Sequence, residues 1–134
     1  MTQMKPILAA ATVMVVGICL APAAHAANFE TQSGLVLCAV TPAPSIPVPD
    51  AVICQGRFVQ TGMRGAAAVT TGDGTFNWDF NGNLAVNDPK TKMSYGQTYN
   101  WGNWTIYPDR NGTRFTNTRT GHGMFVSVEN VYAF

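Results

Sequence analysis

Two stretches of the chain give the strongest indication of its fold: GLVLCAV at residues 34–40 and AVICQGRFVQ at residues 51–60. Each is a short run rich in apolar and β-branched residues with one cysteine, a pattern typical of a β-strand. Residues 41–50, which lie between them, contain four prolines and therefore cannot form a helix or a central strand. We expect a stiff, extended connector between two cysteine-bearing strands.

Similar short runs recur along the rest of the chain, separated by Gly, Asn, Asp and Pro. The predicted strands are 34–40, 51–60, 66–70, 75–80, 83–86, 99–107, 113–118 and 124–131. The dipeptides Asp-Gly at 73–74 and Asn-Gly at 81–82 and 111–112 favour tight turns. Because no long 3.6-residue apolar period follows residue 27, the sequence predicts an all-β fold. A small antiparallel sandwich and a small barrel are both open.

The first 26 residues have the layout of a secretory signal peptide. Lys5 gives a positive start, residues 7–20 form an unbroken apolar run, and Ala24-His25-Ala26 fits a small-x-small cleavage site. A membrane span needs about 20 apolar residues, more than this run provides. We predict cleavage after Ala26 and export of residues 27–134 as a single domain. That domain would meet a membrane only through the signal peptide before cleavage.

The predicted cleavage leaves an even number of cysteines. Cys19 lies in the apolar run and is treated as one of its apolar residues, not as a lipidation site. Cys38 and Cys54 remain in a chain sent to an oxidising compartment, so we predict a disulfide between them. A redox pair is the alternative, but it lacks Cys-x-x-Cys spacing.

The exported part carries no net charge. The 134 residues less the first 26 leave 108, with seven basic and seven acidic side chains, since only Lys5 is lost. A neutral chain has no electrostatic footprint for nucleic acid and no polybasic stretch for anionic lipid. We therefore expect neither nucleic acid nor an anionic membrane as a partner.

Four short motifs span most of the exported part. They are Phe29-x-Thr31-x-Ser33-Gly34-x-x-x-Cys38, Val52-Ile53-Cys54, Ser94-Tyr95-Gly96 and Gly112-Thr113-Arg114-Phe115-x-Asn117-x-x-Thr120-Gly121-His122-Gly123-Met124. Together they resemble a family of small exported actinobacterial, chiefly mycobacterial, proteins of unknown function. The resemblance implies an exported or cell-envelope protein and no particular activity. It leaves open the role of the closing motif, Thr120, Gly121, His122 and Gly123.

One departure from the family pattern carries structural information. Relatives tend to place a second cysteine pair where this chain has Ile106 and Phe115. The resemblance therefore implies that these two side chains face each other inside the fold. Burial of such side chains is worth about 1.5–3 kcal/mol each, comparable with a disulfide.

The predicted strand 99–107 is rich in aromatic residues. Side chains alternate along a strand, so an inward Ile106 places Gly102 and Trp104 inward as well. The outward residues would then be Tyr99, Trp101, Asn103, Thr105 and Tyr107. Tyr99, Trp101 and Tyr107 would form a candidate ligand platform of the kind that stacks on sugars. The alternative is that these rings cover a second sheet.

Residues suited to catalysis or metal binding are sparse. His122 is the one histidine after residue 26, and neither Ser94 nor Ser127 lies in a Gly-x-Ser-x-Gly elbow. Residues 79–83 begin like a calcium loop but lack its later Gly and Glu. Four carboxylates could form a glycosidase pair only by converging in space: Glu30, Asp79, Asp109 and Glu129. We expect no catalytic residue, no metal and no cofactor.

Three functions remain. We expect a non-enzymatic exported domain with a binding or structural role in the cell envelope or outside the cell, whose partner is a glycan, a lipid or a protein. The alternative is a secreted inhibitor of a lysozyme-like hydrolase, with residues 41–50 and 109–112 as candidate loops. A further alternative is a small hydrolase that uses His122.

Overall fold

The alternating segments form eleven short strands among the residues that the structure describes. The computed structural model describes residues 27–41, 50–80, 84 and 89–134. The predicted signal peptide, the centre of the connector and most of the predicted strand 83–86 lie outside these residues. The strands are β1 Ala27–Glu30, β2 Val36–Val40, β3 Ala51–Gly56, β4 Ala66–Thr71, β5 Phe76–Asp79, β6 Thr91–Lys92, β7 Tyr99–Trp101, β8 Trp104–Asp109, β9 Gly112–Asn117, β10 Gly123–Val126 and β11 Val131–Ala133. No helix in the described ranges is long and apolar enough to cross a membrane.

The strands pair into two sheets. Sheet A has six strands in the order β5-β4-β3-β2-β1-β6, and sheet B has five in the order β11-β10-β9-β8-β7. Neighbouring strands are antiparallel except β1 and β6, which pair in parallel. Sheet B is a simple meander, because each strand pairs with the next one in the chain.

The two sheets enclose one hydrophobic core. Alternate residues of their strands face it and are almost completely buried: Cys38, Val40, Val52 and Cys54 from sheet A, and Trp104, Ile106, Phe115, Met124 and Val126 from sheet B. Two open sheets with a shared core form a sandwich, as opposed to a closed barrel. The prediction of an all-β fold is confirmed.

The predicted disulfide joins two neighbouring strands of sheet A. Cys38 lies directly opposite Cys54 in the β2–β3 ladder, and the two sulfur atoms are bonded. Their Cα atoms are 4.1 Å apart, as expected for a pair that exchanges no main-chain hydrogen bonds. Both cysteines are fully buried, so the bond is shielded inside the core.

Ile106 and Phe115 form the corresponding pair in sheet B, which confirms that they face each other. They lie directly opposite in the β8–β9 ladder, and both are 0% exposed. Thr118 N donates to Asn103 O in the same ladder. Because hydrogen-bonded and non-hydrogen-bonded pairs alternate, Ile106 and Phe115 occupy a non-hydrogen-bonded pair like that of the two cysteines.

This equivalence predicts that a second disulfide can be built. In the double variant Ile106→Cys/Phe115→Cys, we expect the two new thiols to oxidise, because directly opposed residues at such a pair bring their Cβ atoms within disulfide range. Thiol titration of the purified, denatured and unreduced protein should find no free thiol. The single variant Ile106→Cys is the control and should show one. Two free thiols in the double variant would contradict the strand register.

Several predicted strands have different limits. The predicted strand 99–107 is two strands, β7 and β8, because the chain turns at Gly102, where φ is 55°. The predicted strand 124–131 is likewise divided into β10 and β11, and the predicted strand 51–60 ends at Gly56. Strands β1 and β6 were not predicted.

Candidate binding surface

The outer face of sheet B carries a row of aromatic residues around one arginine. Ile106, Phe115 and Met124 face the core, so the residue next to each of them in its strand faces outward. The strand register places four outward side chains side by side across the sheet: Tyr107, Arg114, Phe125 and Tyr132. Phe134 follows β11 and adds a further ring beside Arg114. We call these five residues the aromatic face.

Two glycines make room for the rings. A Cβ atom on Gly112 would overlap Cζ of Phe125, and one on Gly123 would lie 2.8 Å from Cζ of Phe134. Both rings therefore lie directly over glycine backbone. Phe134 is also held by main-chain hydrogen bonds to Gly123 in both directions, at 3.1 and 3.0 Å. These contacts fix the two phenylalanine rings before any ligand arrives.

The rings and the arginine also contact one another. Phe125 and Tyr132 are stacked with ring centroids 5.2 Å apart and planes 21° from parallel. The guanidinium of Arg114 lies 3.8 Å above the centroid of the Phe134 ring, a favourable cation–π contact. Tyr107 and Tyr132 are 42% and 44% exposed, so rings of this face remain open to solvent.

The predicted platform of Tyr99, Trp101 and Tyr107 is not one surface. Tyr99 pairs directly with Ile106 and therefore lies on the inward side of sheet B. There its ring meets the ring of Phe29 edge to face, with the two ring centroids 6.1 Å apart. Trp101 pairs with buried Trp104 and is 38% exposed at the edge strand. Because the chain turns at Gly102, the side chains of β7 point to the opposite side of the sheet from the one that a single continuous strand would give them. Only Tyr107 faces outward as predicted.

The closing motif binds one end of sheet B to sheet A. The hydroxyl of Thr120 donates to the carbonyl of Gly72 and accepts from the N–H of His122 at 3.2 Å. The imidazole of His122 lies over Gly74, where an added Cβ would come within 2.8 Å of Nδ1. Nδ1 is 3.2 Å from the carbonyl oxygen of Phe134. The motif thus holds the β9–β10 turn on the β4–β5 turn and supports Phe134 of the aromatic face.

The β4–β5 turn beneath His122 is organised by Asp73. Its carboxylate accepts from the hydroxyl of Thr71 and from the N–H of Thr75, the latter at 3.0 Å. These hydrogen bonds lower the pKa of Asp73 from 3.8 to about 2, and the one from the Thr71 hydroxyl has the largest effect. Because the folded state favours the ionised carboxylate, Asp73 stabilises the fold at pH values above its unfolded-state pKa. This contribution is lost as the pH falls through about 2. The carboxylate is exposed, so the effect is small.

The two serines considered for catalysis have hydrogen-bond partners other than His122. Ser94 N–H donates to the hydroxyl of Tyr99, and Ser127 bonds with Asn130 in the β10–β11 turn. In the described part of the chain, no hydrogen bond joins either serine to His122. Asp109 and Glu129 do line one groove of about 160 Å³, but Asp109 Oδ1 accepts from two N–H groups of its own turn. Residues 109–112, one of the two candidate inhibitory loops, therefore form a tight hairpin turn. Most of the second candidate loop, residues 41–50, lies outside the described residues.

A buried carboxylate joins the sheets near the closing motif. Asp50 is 4% exposed, and its Oδ2 accepts from the side-chain amides of Asn103 at 3.1 Å and Asn117 at 3.4 Å. Its carbonyl accepts from Gly72 N–H at 2.9 Å. Asp50 Oδ1 and Trp104 Nε1 are buried with no hydrogen-bond partner among the described residues. Asp50 thus links the start of β3 to the β7–β8 turn and to β9, a structural role that sequence reasoning missed.

No group of three or more His, Cys, Asp and Glu side chains suited to a metal is found in the described ranges.

The family resemblance remains a prediction. No family model, no curated protein and no solved structure matches the chain.

Proposed function

We propose that residues 27–134 are an exported, non-enzymatic domain that binds a saccharide chain on the aromatic face of sheet B. The observation that carries this proposal is the outward row of Tyr107, Arg114, Phe125 and Tyr132, extended by Phe134. Large aromatic side chains are usually mostly buried, so a row that is open to solvent favours a contact function.

The chemistry of the face suits a sugar. The C–H groups on one side of a pyranose ring pack well on an aromatic ring, while its hydroxyl groups need hydrogen-bond partners. Tyr107 and Tyr132 offer both a ring and a hydroxyl group, and Arg114 offers up to five N–H donors. The row crosses four strands, so its outer members are about 14 Å apart at the usual strand spacing. That length accommodates a short oligosaccharide, and the open surface also suits a polymer.

Export rests on the sequence and on the disulfide. A disulfide between Cys38 and Cys54 is compatible with an oxidising environment outside the cytoplasm. Strand β1 begins at Ala27, the first residue after the predicted cleavage site. Removal of the signal peptide would therefore leave every described strand of sheet A in place.

The face can be tested by binding to insoluble polysaccharides. We expect the protein to be retained by at least one of peptidoglycan, cellulose and chitin in a sedimentation assay. Tyr132→Ala should then lower the affinity about ten-fold, the equivalent of about 1.4 kcal/mol for one lost stacking ring. Because Tyr132 is 44% exposed, the substitution should cost no more than about 1 kcal/mol of stability, the upper value for one cross-strand pair such as its stack on Phe125.

Two control variants distinguish this face from other aromatic residues. Tyr95 is 40% exposed but lies outside sheet B, and Trp101 belongs to the platform predicted from the sequence. Tyr95→Ala and Trp101→Ala should both bind like the unmodified protein. Retention by none of the three polysaccharides, or a loss confined to Trp101→Ala, would contradict the proposal.

A further inference from the structure

A second groove lies at one end of the sandwich, and none of the described residues that line it belongs to the aromatic face. Its volume is about 530 Å³, within the range of small-molecule sites. It opens where the β1–β2, β3–β4 and β10–β11 connections meet, and it is lined by Leu35, Val128, Arg57, Arg64 and three glycines, Gly34, Gly56 and Gly65. The glycines contribute no side chains, so the backbone itself forms part of the wall.

The groove and the connection that carries its arginines expose apolar side chains. Leu35 in the groove is 62% exposed, and Val59 and Met63 in the adjoining β3–β4 connection are 68% and 50% exposed. Leaving such side chains in water costs about 25 cal/mol per Å² of apolar surface compared with covering them. An apolar ligand in the groove would recover part of that free energy.

The charges of the groove are of one sign. Arg57 and Arg64 both line it, no acidic residue among the described ones does, and neither guanidinium has an ion pair or hydrogen bond with a described residue. Asp109 and Glu129 line the adjoining smaller groove. The described lining therefore carries two positive charges beside apolar side chains, with the carboxylate of Glu30 next to Gly34 at its edge.

The wall that carries the arginines is held in place. Val59 N–H donates to the carbonyl of Val128 at 2.9 Å, which ties the β3–β4 connection to the β10–β11 turn. The side-chain amide of Gln60 bonds with both the carbonyl and the N–H of Val131. A ligand would thus enter a site whose walls are already in position, which lowers the entropic cost of binding.

We propose that this groove binds a single-chain amphiphile with an acidic head group, a carboxylate or a phosphate. Arg57 and Arg64 contact the head group, since guanidinium groups match carboxylate and phosphate oxygens in geometry and charge. Leu35 and Val128 contact the alkyl chain. The amphiphile is bound as a free molecule, and the site is independent of the saccharide site proposed on sheet B.

Isothermal titration calorimetry with three ten-carbon probes and inorganic phosphate tests the proposal on residues 27–134. Decanoate and decyl phosphate, both below their micelle concentrations, should bind with similar affinity. 1-Decanol and inorganic phosphate should bind at least ten-fold more weakly, because each lacks half of the required chemistry. The double variant Arg57→Gln/Arg64→Gln should weaken decanoate binding at least ten-fold. The control Arg119→Gln removes an exposed arginine from a turn at the opposite end of the sandwich and should change nothing.

Three results would overturn the proposal. They are equal decanoate affinity in the double arginine variant and the unmodified protein, inorganic phosphate binding as tightly as decyl phosphate, or binding to phosphatidylglycerol vesicles without binding to either monomeric acidic probe. Tyr132→Ala should bind decanoate normally, so failure of the saccharide proposal and failure of this one give different patterns. Circular dichroism should give the same strand signal for all variants, which separates loss of a contact from loss of the fold.

Discussion

Phe115→Ala should lower the free energy of unfolding by about 3–5 kcal/mol, the range for truncation of a fully buried aromatic side chain. Phe115 is 0% exposed, lies opposite Ile106 and belongs to the core shared by both sheets. Its removal loses the transfer free energy of the ring and leaves a cavity between the sheets. Urea denaturation followed by tryptophan fluorescence measures the change.

A matched truncation on the surface provides the control. Phe80 is 52% exposed and follows β5 at the edge of sheet A. Phe80→Ala should change the free energy of unfolding by no more than about 0.5 kcal/mol. Similar losses in the two variants would mean that Phe115 does not face the core and that the phase of sheet B is wrong.

Loss of the disulfide is the second large effect we expect. The double variant Cys38→Ala/Cys54→Ala should lose about 3 kcal/mol, the chain-entropy estimate for a cross-link that closes a loop of this size. The two cysteines are 16 residues apart, and both are buried, so alanine avoids placing a hydroxyl group in the core. Urea denaturation of the oxidised protein and of the variant gives the difference.

Reduction supplies an independent measurement of the same contribution. Dithiothreitol should lower the urea midpoint of the unmodified protein towards that of the alanine variant and should leave the variant unchanged. The same midpoint for the unmodified protein with and without reductant, with the thiols confirmed as reduced, would contradict a stabilising role for the bond.

The fold class follows from local patterns, whereas the missing strands depend on distant partners. Short β-branched runs and Asp-Gly or Asn-Gly turns are sufficient to predict most of sheets A and B. Strand β6 has two residues and pairs in parallel with β1, whose residue Phe29 is opposite Thr91. A pairing across that sequence distance leaves no periodic signal. The turn at Gly102 was missed although Trp101 before it and Trp104 after it, three positions apart, do not fit one period-2 alternation.

The candidate surface was only partly accessible to sequence reasoning. Alternation around buried Met124 and Val126 could have placed Phe125 on the outer face, but the predicted strand 124–131 ran through the β10–β11 turn and obscured Tyr132. The positions of the rings over Gly112 and Gly123 depend on packing between strands. The contacts of Asp50 join three distant segments, so no local pattern indicates them.

We propose that the aromatic face of sheet B is a binding surface. Nuclear magnetic resonance spectra of the ¹⁵N-labelled protein, titrated with soluble oligosaccharides of the polysaccharide that retains it, test this proposal. We expect the largest shifts at the backbone amides of Arg114, Phe125 and Tyr132. Shifts centred on Trp101 and its indole N–H, with these three amides unchanged, would contradict it.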